Sequence, residues 1–221
     1  MSKTQTEPNR LGDGVLFEED NFYSRKKVTV ISGQNLAVLT VIAIIAFAVP
    51  TTGTADAGNT GDGTMGSVAG GTKTKQGTYT MTCTAAASDS GTFSVVDPDG
   101  YPLPSAIVAV AYAGQQINFT IADGATDFVV GDIFTVDAAA GSGKVTALDL
   151  TAVDGSQRAA GITCDAYDAT DADVDGVIIA RGPAMVNPDA LVWPAGITAD
   201  QKIAALAELE ALGIVSDVEA V

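Results

Sequence analysis

The middle of the chain consists of short segments rich in threonine, valine and aromatic residues, separated by turns rich in aspartate, glycine and proline. Five such segments occupy residues 78–85, 91–96, 106–112, 116–121 and 132–137. β-branched and aromatic residues favour strands, and this near-regular spacing is typical of a β-sandwich. In the first segment threonines alternate with Tyr79, Met81 and Cys83, so we expect these three side chains to point into a core.

Composition excludes several classes of function. The chain has 221 residues and no histidine, which removes Ser-His-Asp triads, Cys-His pairs and zinc-histidine sites. Its 27 acidic residues against 11 basic ones leave a formal net charge of −16, which disfavours direct contact with nucleic acid. Cys83 and Cys164 could form one disulfide or remain two thiols, and buried thiols are the preferred interpretation.

An acidic stretch between Asp165 and Asp175 resembles part of a calcium-binding loop. Asp171, Asp173 and Asp175 have the spacing of the loop's first ligands, but Gly182 stands where a bidentate glutamate is required. An exposed acidic turn is therefore preferred to a cation site. No nucleophile with a base and no cofactor loop emerges elsewhere, so we expect a protein that is not an enzyme and that uses no cofactor or metal.

The first 22 residues show no sustained hydrophobic period and predict an extended N-terminal arm rather than a folded element. The arm contains Val15, Leu16 and Phe17, and Phe22 and Tyr23 follow at its end. These apolar side chains are too few to form a core, but they could dock on another surface. The alternative is a frayed terminus.

A strongly apolar run at residues 36–49 has two interpretations. Its valines and isoleucines favour a strand buried on both faces. Alternatively, the basic residues 25–27 and the Ala-Asp-Ala triplet at 55–57 imitate a secretory signal, which would fit an exported or surface-anchored β-sandwich adhesin. The run is shorter than a membrane-spanning helix requires, and an acidic leader argues against export, so buried strands are preferred.

The C-terminal part contains the clearest helix signal. Thr198 and Gln201 form a capping box, and Gly213 provides a stop, which together predict a helix at about 199–212. The expected buried stripe consists of Ile203, Leu206, Leu209 and Leu212.

Several segments, taken in order, resemble the head decoration proteins of tailed phages, the capsid-stabilising family typified by protein D of lambda. Residues 11–41 carry an acidic Glu-Glu-Asp step, a Tyr-Ser-Arg entry to a Val/Thr strand and then Ser-Gly-Gln-Asn-Leu. Further matches are the Asp-Gly…Ala-Ala-Gly-Ile segment at 151–162, Ala-Arg-Gly-Pro-Ala at 180–184, Leu-Val-Trp-Pro at 191–194 and Leu-Gly-Ile at 212–214.

The resemblance implies a mainly β fold, with an α+β decoration core that carries one short C-terminal helix. The expected parts are an extended arm at 1–22, the first part of the core at 23–57, an inserted small β-sandwich at 58–143 and the second part of the core at 144–221. About ninety residues therefore separate the two parts of the core.

The resemblance also implies a function. The protein would bind as a homotrimer at the local threefold axes on the outer surface of the virion capsid, having been made in the host cytoplasm, and would stabilise the head against packaged DNA. Its partners would be the major capsid protein and its own copies, with no membrane and no direct nucleic acid, while the insert could contact a host surface.

Two sets of residues are nominated for these contacts. The expected capsid-binding residues are Val15, Leu16, Phe17, Phe22, Tyr23 and Arg25. The expected core or trimer contacts are Leu191, Trp193 and Pro194.

Overall fold

The computed structural model describes residues 9–216 of the chain. Within that range the elements, in chain order, are α1 (Leu11–Gly14), β1 (Val15–Glu18), α2 (Asn21–Ser24), β2 (Arg25–Val30), β3 (Gln34–Leu36), β4 (Val41–Ile44), β5 (Gly53–Ala55), β6 (Thr64–Gly70), β7 (Gly77–Ala87), β8 (Ser90–Val96), β9 (Pro102–Ile107), β10 (Tyr112–Ala113), β11 (Ile117–Ala122), β12 (Ile133–Ala138), β13 (Val145–Ala147), β14 (Gly161–Thr163), β15 (Tyr167–Ala169), β16 (Val174–Ile179), β17 (Ala184–Val186), α3 (Ala199–Ala211) and β18 (Ile214–Ser216). The mainly β class and the short C-terminal helix are confirmed. None of the helices in this range is long and apolar enough to cross a bilayer.

The chain divides into two compact units. Unit 1 contains the described residues of Met1–Ile45, Lys144–Thr151 and Ser156–Val221, and unit 2 contains Ala46–Gly143 and Ala152–Gly155. Unit 2 begins twelve residues before the position expected for the insert, at 46 rather than 58. The reason is local pairing, because the backbone N–H groups of Ala46 and Phe47 both donate to the carbonyl oxygen of Asp154.

Unit 1 is built on a closed barrel with the strand order β13-β2-β16-β14-β4. Strands β2 and β16 form its longest antiparallel pair, from Arg25 opposite Ile179 to Val30 opposite Val174. A two-stranded sheet (β15-β3) and a three-stranded sheet (β1-β17-β18) complete the β structure of this unit. One cluster of buried residues combines Val30, Ile42, Val145 and Ile178 of the barrel strands with Leu36 and Ala169 of the two-stranded sheet.

The apolar run at 36–49 is buried at Leu36, at 39–43 and at Phe47, as preferred, but Ala37, Ala46, Ala48 and Val49 are exposed and the run does not form one continuous strand. Leu39, Val41 and Ile42 are fully buried. The backbone turns at Leu39, whose φ of 67° lies in the left-handed region, and β4 then begins at Val41. Leu39, Val41 and Ala43 belong to one buried cluster of unit 1, whereas Ile42 on the opposite face of β4 belongs to another.

Unit 2 consists of two sheets that share one core. The five-stranded sheet has the order β5-β12-β7-β8-β9, and the three-stranded sheet has the order β10-β11-β6. Tyr79, Met81 and Cys83 on β7 are buried, so the alternation predicted from the sequence is confirmed. The expected strand at 106–112 is wrong in its extent, because β9 ends at Ile107 and Ala109 adopts a left-handed φ of 63° within the following turn.

Helix α3 begins as predicted but buries a different face. Thr198 Oγ1 accepts a hydrogen bond from Gln201 N, Gln201 Oε1 accepts one from the backbone N–H of Thr198, and Gly213 has a φ of 81°. The buried residues of the helix are Ala205 and Leu209, whereas Ile203 is 66% exposed. The predicted four-residue stripe is therefore wrong at Ile203 and at Leu212, which is 38% exposed, because α3 contacts the core of unit 1 along a narrower line than the apolar pattern suggests.

The expectation of an extended N-terminal arm rather than a folded element is wrong for residues 11–18. Leu11–Gly14 forms a helical turn, and β1 pairs antiparallel with β17 of the same unit. The turn is stabilised locally, since the backbone N–H of Arg10 donates to Asp13 Oδ2 at 2.7 Å. The partner strand lies far along the chain, so no local pattern could indicate this pairing.

Candidate functional site

The N-terminal elements of unit 1 present a group of exposed apolar side chains. Leu16 and Phe17 on β1 are 50% and 52% exposed, and Phe22 and Tyr23 in α2 are 95% and 57% exposed. We call these four residues the N-terminal apolar patch. Single exposed apolar side chains are common, but a group of large ones is a candidate interaction surface.

A bulge in β1 explains why two consecutive strand residues are both exposed. Regular strand residues alternate between faces, but the register of β1 against β17 shifts between Val15 and Phe17. Val15, which was also nominated for capsid binding, is half-buried and packs against the core of its own unit. The structure therefore assigns Val15 to the support of β1, whereas Leu16 and Phe17 face outward.

The turn that carries Phe22 and Tyr23 is closed at both ends. Asp20 Oδ1 accepts a hydrogen bond from the backbone N–H of Phe22 at 2.8 Å, which caps α2. Arg25 Nη2 lies 2.7 Å from Glu18 Oε2, and Ser24 Oγ also donates to Glu18. The hydrogen bonds that Arg25 donates to Glu18 lower the pKa of Glu18 and raise the pKa of Arg25. Arg25, one of the residues expected to bind the capsid, thus links β1 to β2 through this ion pair.

One aromatic residue of the patch contacts a cation. The Arg181 guanidinium lies 5.1 Å from the centroid of the Tyr23 ring, within the range of a cation–π interaction. Arg181 follows β16, and the backbone N–H of Ala180 donates to the carbonyl oxygen of Ser24. This backbone bond fixes Arg181 beside α2, a proximity that the sequence did not indicate.

The second nominated set lies within and beside the other core cluster of unit 1. Leu191 is 5% exposed, and Trp193 packs against the same cluster. The indole Nε1 donates to the carbonyl oxygen of Pro188 at 3.1 Å, and Lys202 Nζ lies 5.8 Å from the ring centroid. Pro194 is half-buried and lines a small cavity of about 210 Å³. Leu191 is a core residue, whereas Trp193 and Pro194 keep part of their surface exposed.

The acidic stretch at 165–175 is largely engaged with groups of its own unit. Asp173 pairs with Lys144 and also accepts from the backbone N–H of Ser32 at 2.9 Å, and both contacts lower its pKa. Asp175 Oδ2 lies 2.7 Å from Lys27 Nζ. These partners support the interpretation of an exposed acidic turn rather than a cation loop.

Among residues 9–216 a different group of carboxylates meets the geometric requirement for holding an ion. Oxygens of Asp89, Asp123 and Asp127 in unit 2 lie within 4.8 Å of one another. Asp127 already accepts hydrogen bonds from Ser88 Oγ and from the backbone N–H of Asp89. Exposed acidic groups often cluster in this way without binding a metal, so the arrangement by itself does not define a site.

Neither thiol has the properties of a nucleophile. Burial raises the pKa of Cys83, and burial raises that of Cys164 to about 11. Both cysteines are unpaired. At neutral pH the two thiols therefore remain protonated, which disfavours both thiolate catalysis and metal ligation.

Comparison with known proteins identifies one family. Residues 115–214 match the model of the family described as bacteriophage lambda head decoration protein D. This range includes four of the segments on which the sequence resemblance rests, and the match confirms that resemblance. The family is structural rather than enzymatic, and the match favours it over the exported adhesin. No curated protein matches the chain.

Two solved structures show a weaker likeness, both of FlgL from Xanthomonas campestris, in space groups H3 and C2. Each is 20% identical over 44% of this chain, with a TM-score of 0.32. The aligned region covers 33% and 32% of the two FlgL chains, so this chain spans about a third of their length. A TM-score at this level does not establish a shared fold.

Proposed function

We propose, from the premise that the match at residues 115–214 marks a phage head decoration protein, that the chain binds the outer surface of the capsid as a trimer and stabilises the shell. The observation that carries this proposal is the N-terminal apolar patch. These four large apolar side chains are at least half exposed, which would lower the solubility of a protein that had no binding partner. Burial of the four side chains against a partner would release the water around them and favour binding.

The edge of β1 provides backbone groups for the same contact. In the three-stranded sheet β1 pairs with β17, and β17 pairs with β18 on its other side, so β1 is an edge strand. An edge strand can accept a further strand from a partner, with backbone hydrogen bonds giving affinity and side chains giving register. Leu16 and Phe17 would then supply the register on the capsid.

Two further parts of the proposal concern the remaining surfaces. Trp193 and Pro194, each with part of its surface exposed, are the proposed trimer contact. The buried residue Leu191 belongs to the core cluster against which Trp193 packs. Unit 2 is proposed to be the insert that projects from the head and could contact a host surface. Lys73 and Lys75 are its only basic residues, so its surface is mostly acidic and would keep particles apart by repulsion.

Cosedimentation with expanded, DNA-free shells of the major capsid protein tests the proposal. Point variants are preferable to deletion of residues 1–22, because deletion would remove β1 and expose β17. We expect the triple variant L16S/F17S/F22S to bind at least about tenfold more weakly than the wild type, since buried aromatic anchors dominate interfaces.

The matched control is Y101S/V130S, which removes two exposed apolar side chains from unit 2, at 66% and 65% exposure. This control should bind shells like the wild type. Unchanged binding of the triple variant, with the fold verified by circular dichroism, would exclude the patch as the capsid contact.

A further inference from the structure

A cavity in unit 1 has two cations on an otherwise apolar wall. Its volume is about 420 Å³, and its lining includes Lys26, Arg181, Ile44, Ala160, Ile178 and Leu212. Lys26 lies opposite Ile178 in the β2–β16 pair, and Ile178 belongs to the buried cluster on the barrel strands. The cavity therefore opens where that cluster ends.

Strand alternation directs Lys26 and its neighbour Lys27 to opposite faces. Lys26 shares a face with Val28 and Val30, which pack in the buried cluster, whereas Lys27 is on the other face and pairs with Asp175. Lys26 is thus a cation at the rim of an apolar region rather than part of the outer charge network.

The side chains of Lys26 and Arg181 have no hydrogen-bonding or carboxylate partner among residues 9–216, and Arg181 contacts only the Tyr23 ring. Three other cations of the unit form ion pairs: Arg25 with Glu18, Lys27 with Asp175 and Lys144 with Asp173. In a chain with 27 acidic and 11 basic residues, two such cations in one cavity are a marked departure from the average surface.

We propose that this cavity receives an aspartate or glutamate side chain from the outer surface of the capsid protein, a contact that rests on the proposed function above. The Arg181 guanidinium lies 5.1 Å from the Tyr23 ring of the N-terminal apolar patch, so the cavity and the patch adjoin at this pair. A partner that contacts Tyr23 is therefore within reach of Arg181 at the cavity.

The chemistry of the cavity suits a carboxylate. A guanidinium binds a carboxylate through two parallel hydrogen bonds, and the ammonium group of Lys26 adds a second positive charge. Both cations are exposed in the free chain, and a docked partner would exclude water from the cavity, which would strengthen the attraction over that of an open surface. Because the chain as a whole has a net negative charge, a capsid carboxylate is attracted to this cavity and repelled by most of the surface. This contrast fixes the position and orientation in which the protein docks on the capsid.

Binding of the variants K26M, R181M and K26M/R181M to shells, measured over a range of salt concentrations, tests the inference. We expect wild-type affinity to fall as salt rises. The double variant should bind about tenfold more weakly at low salt, with a clearly shallower salt dependence. The matched controls are K27M, from the adjacent position on β2, and R158M, an exposed arginine of the same unit, and both should behave like the wild type.

A second measurement identifies the partner group directly. A carbodiimide activates a carboxylate and couples it to a lysine amine as an amide with net loss of water, and mass spectrometry then locates the cross-link. We expect Lys26 to be joined to an acidic residue of the capsid protein in decorated shells. A double variant with wild-type affinity and salt dependence, or bound shells without a Lys26 cross-link, would overturn this inference while leaving the patch intact. Failure of the wild type to bind any shell would overturn the proposed function as well.

Discussion

The carboxylate of Glu18 accepts hydrogen bonds from Nε of Arg25 at 3.0 Å and from Nη2 at 2.7 Å. The pair spans the α2 turn, so the last residue of β1 and the first residue of β2 are held together while Phe22 and Tyr23 project between them. Glu18 is mostly buried, with a side chain 10% exposed, and this burial makes its partner necessary.

The first prediction concerns the loss of that partner. Arg25→Met leaves the Glu18 carboxylate buried with Ser24 as its remaining side-chain donor, and we expect the free energy of unfolding to fall by about 1–3 kcal/mol. Denaturant titration measures the change. The control is Lys27→Met, which breaks an ion pair whose side chains are 74% and 65% exposed, and it should cost less than about 1 kcal/mol. Equal effects of the two variants would contradict the structural role of the Glu18–Arg25 pair.

The second prediction concerns acid stability of unit 2. Asp97 is 4% exposed and accepts bonds from Lys75 Nζ at 2.6 Å and from the backbone N–H of Tyr101 at 2.9 Å. These contacts, the lysine first, lower the pKa of Asp97 to about 2 from 3.8. A carboxylate with a lowered folded-state pKa stabilises the fold above the unfolded value, and this stabilisation is lost as the pH falls toward the folded value.

Thermal unfolding of wild type and Asp97→Asn between pH 5 and pH 2 checks this. We expect the difference in melting temperature between them to be largest above about pH 4 and to shrink toward pH 2. The control is Asp99→Asn. Asp99 pairs with the same lysine but its side chain is 58% exposed, so this variant should change the dependence of the melting temperature on pH little. A difference in melting temperature between Asp97→Asn and wild type that stays constant across this pH range would contradict the lowered pKa of Asp97.

The third prediction separates the buried and exposed faces of α3. Leu209 is fully buried, so Leu209→Ala should lower the free energy of unfolding by about 2–5 kcal/mol. Ile203→Ala removes a side chain that is 66% exposed, and we expect a change within about 0.5 kcal/mol. Denaturant midpoints measure both. Comparable losses of unfolding free energy in the two variants would indicate that Ile203 is buried, as the four-residue stripe predicts.

This helix shows which features a sequence can predict. The capping box and the glycine stop depend on residues within a few positions of one another, so Thr198, Gln201 and Gly213 were identified correctly. The buried face depends on what the helix packs against, which periodicity cannot supply. Burial of alternate residues on β7 was predicted for the same local reason, because a strand between two sheets presents one face to the core.

The candidate site was only partly accessible to sequence analysis. Leu16, Phe17, Phe22 and Tyr23 were nominated because they lack enough apolar neighbours in the sequence to form a core, and the structure leaves all four exposed. The pairing of β1 with β17 was missed because its partner lies in a distant part of the chain. Lys26 and Arg181 were missed for the same reason, since only the β2–β16 pairing brings them to one cavity.

The fourth prediction concerns the thiols. Cys83 is 1% exposed, and burial raises the pKa of both cysteines, that of Cys164 to about 11. We therefore expect iodoacetamide at pH 8 to modify the native protein slowly and to modify both cysteines rapidly in denaturant without a reductant. Intact-mass spectrometry counts the added groups. Failure of both cysteines to react in denaturant alone, followed by reaction after reduction, would show a disulfide instead.

The fifth prediction uses Trp193 as a reporter of assembly, because it is the only tryptophan in the chain. Its ring is half-buried by Lys202 and by the core residues of unit 1, and its indole N–H is already bonded to Pro188. If trimer formation covers the remaining surface of the ring, acrylamide should quench its fluorescence less as protein concentration rises. Sedimentation velocity on the same samples gives the oligomeric state independently.

The decrease in quenching should follow the fraction of trimer. The variant Pro194→Asp places a charge beside the ring, so we expect it to reduce both the trimer fraction and the change in quenching. A trimer that forms with no change in quenching would remove Trp193 and Pro194 from the subunit contact and leave Trp193 as a core residue of unit 1.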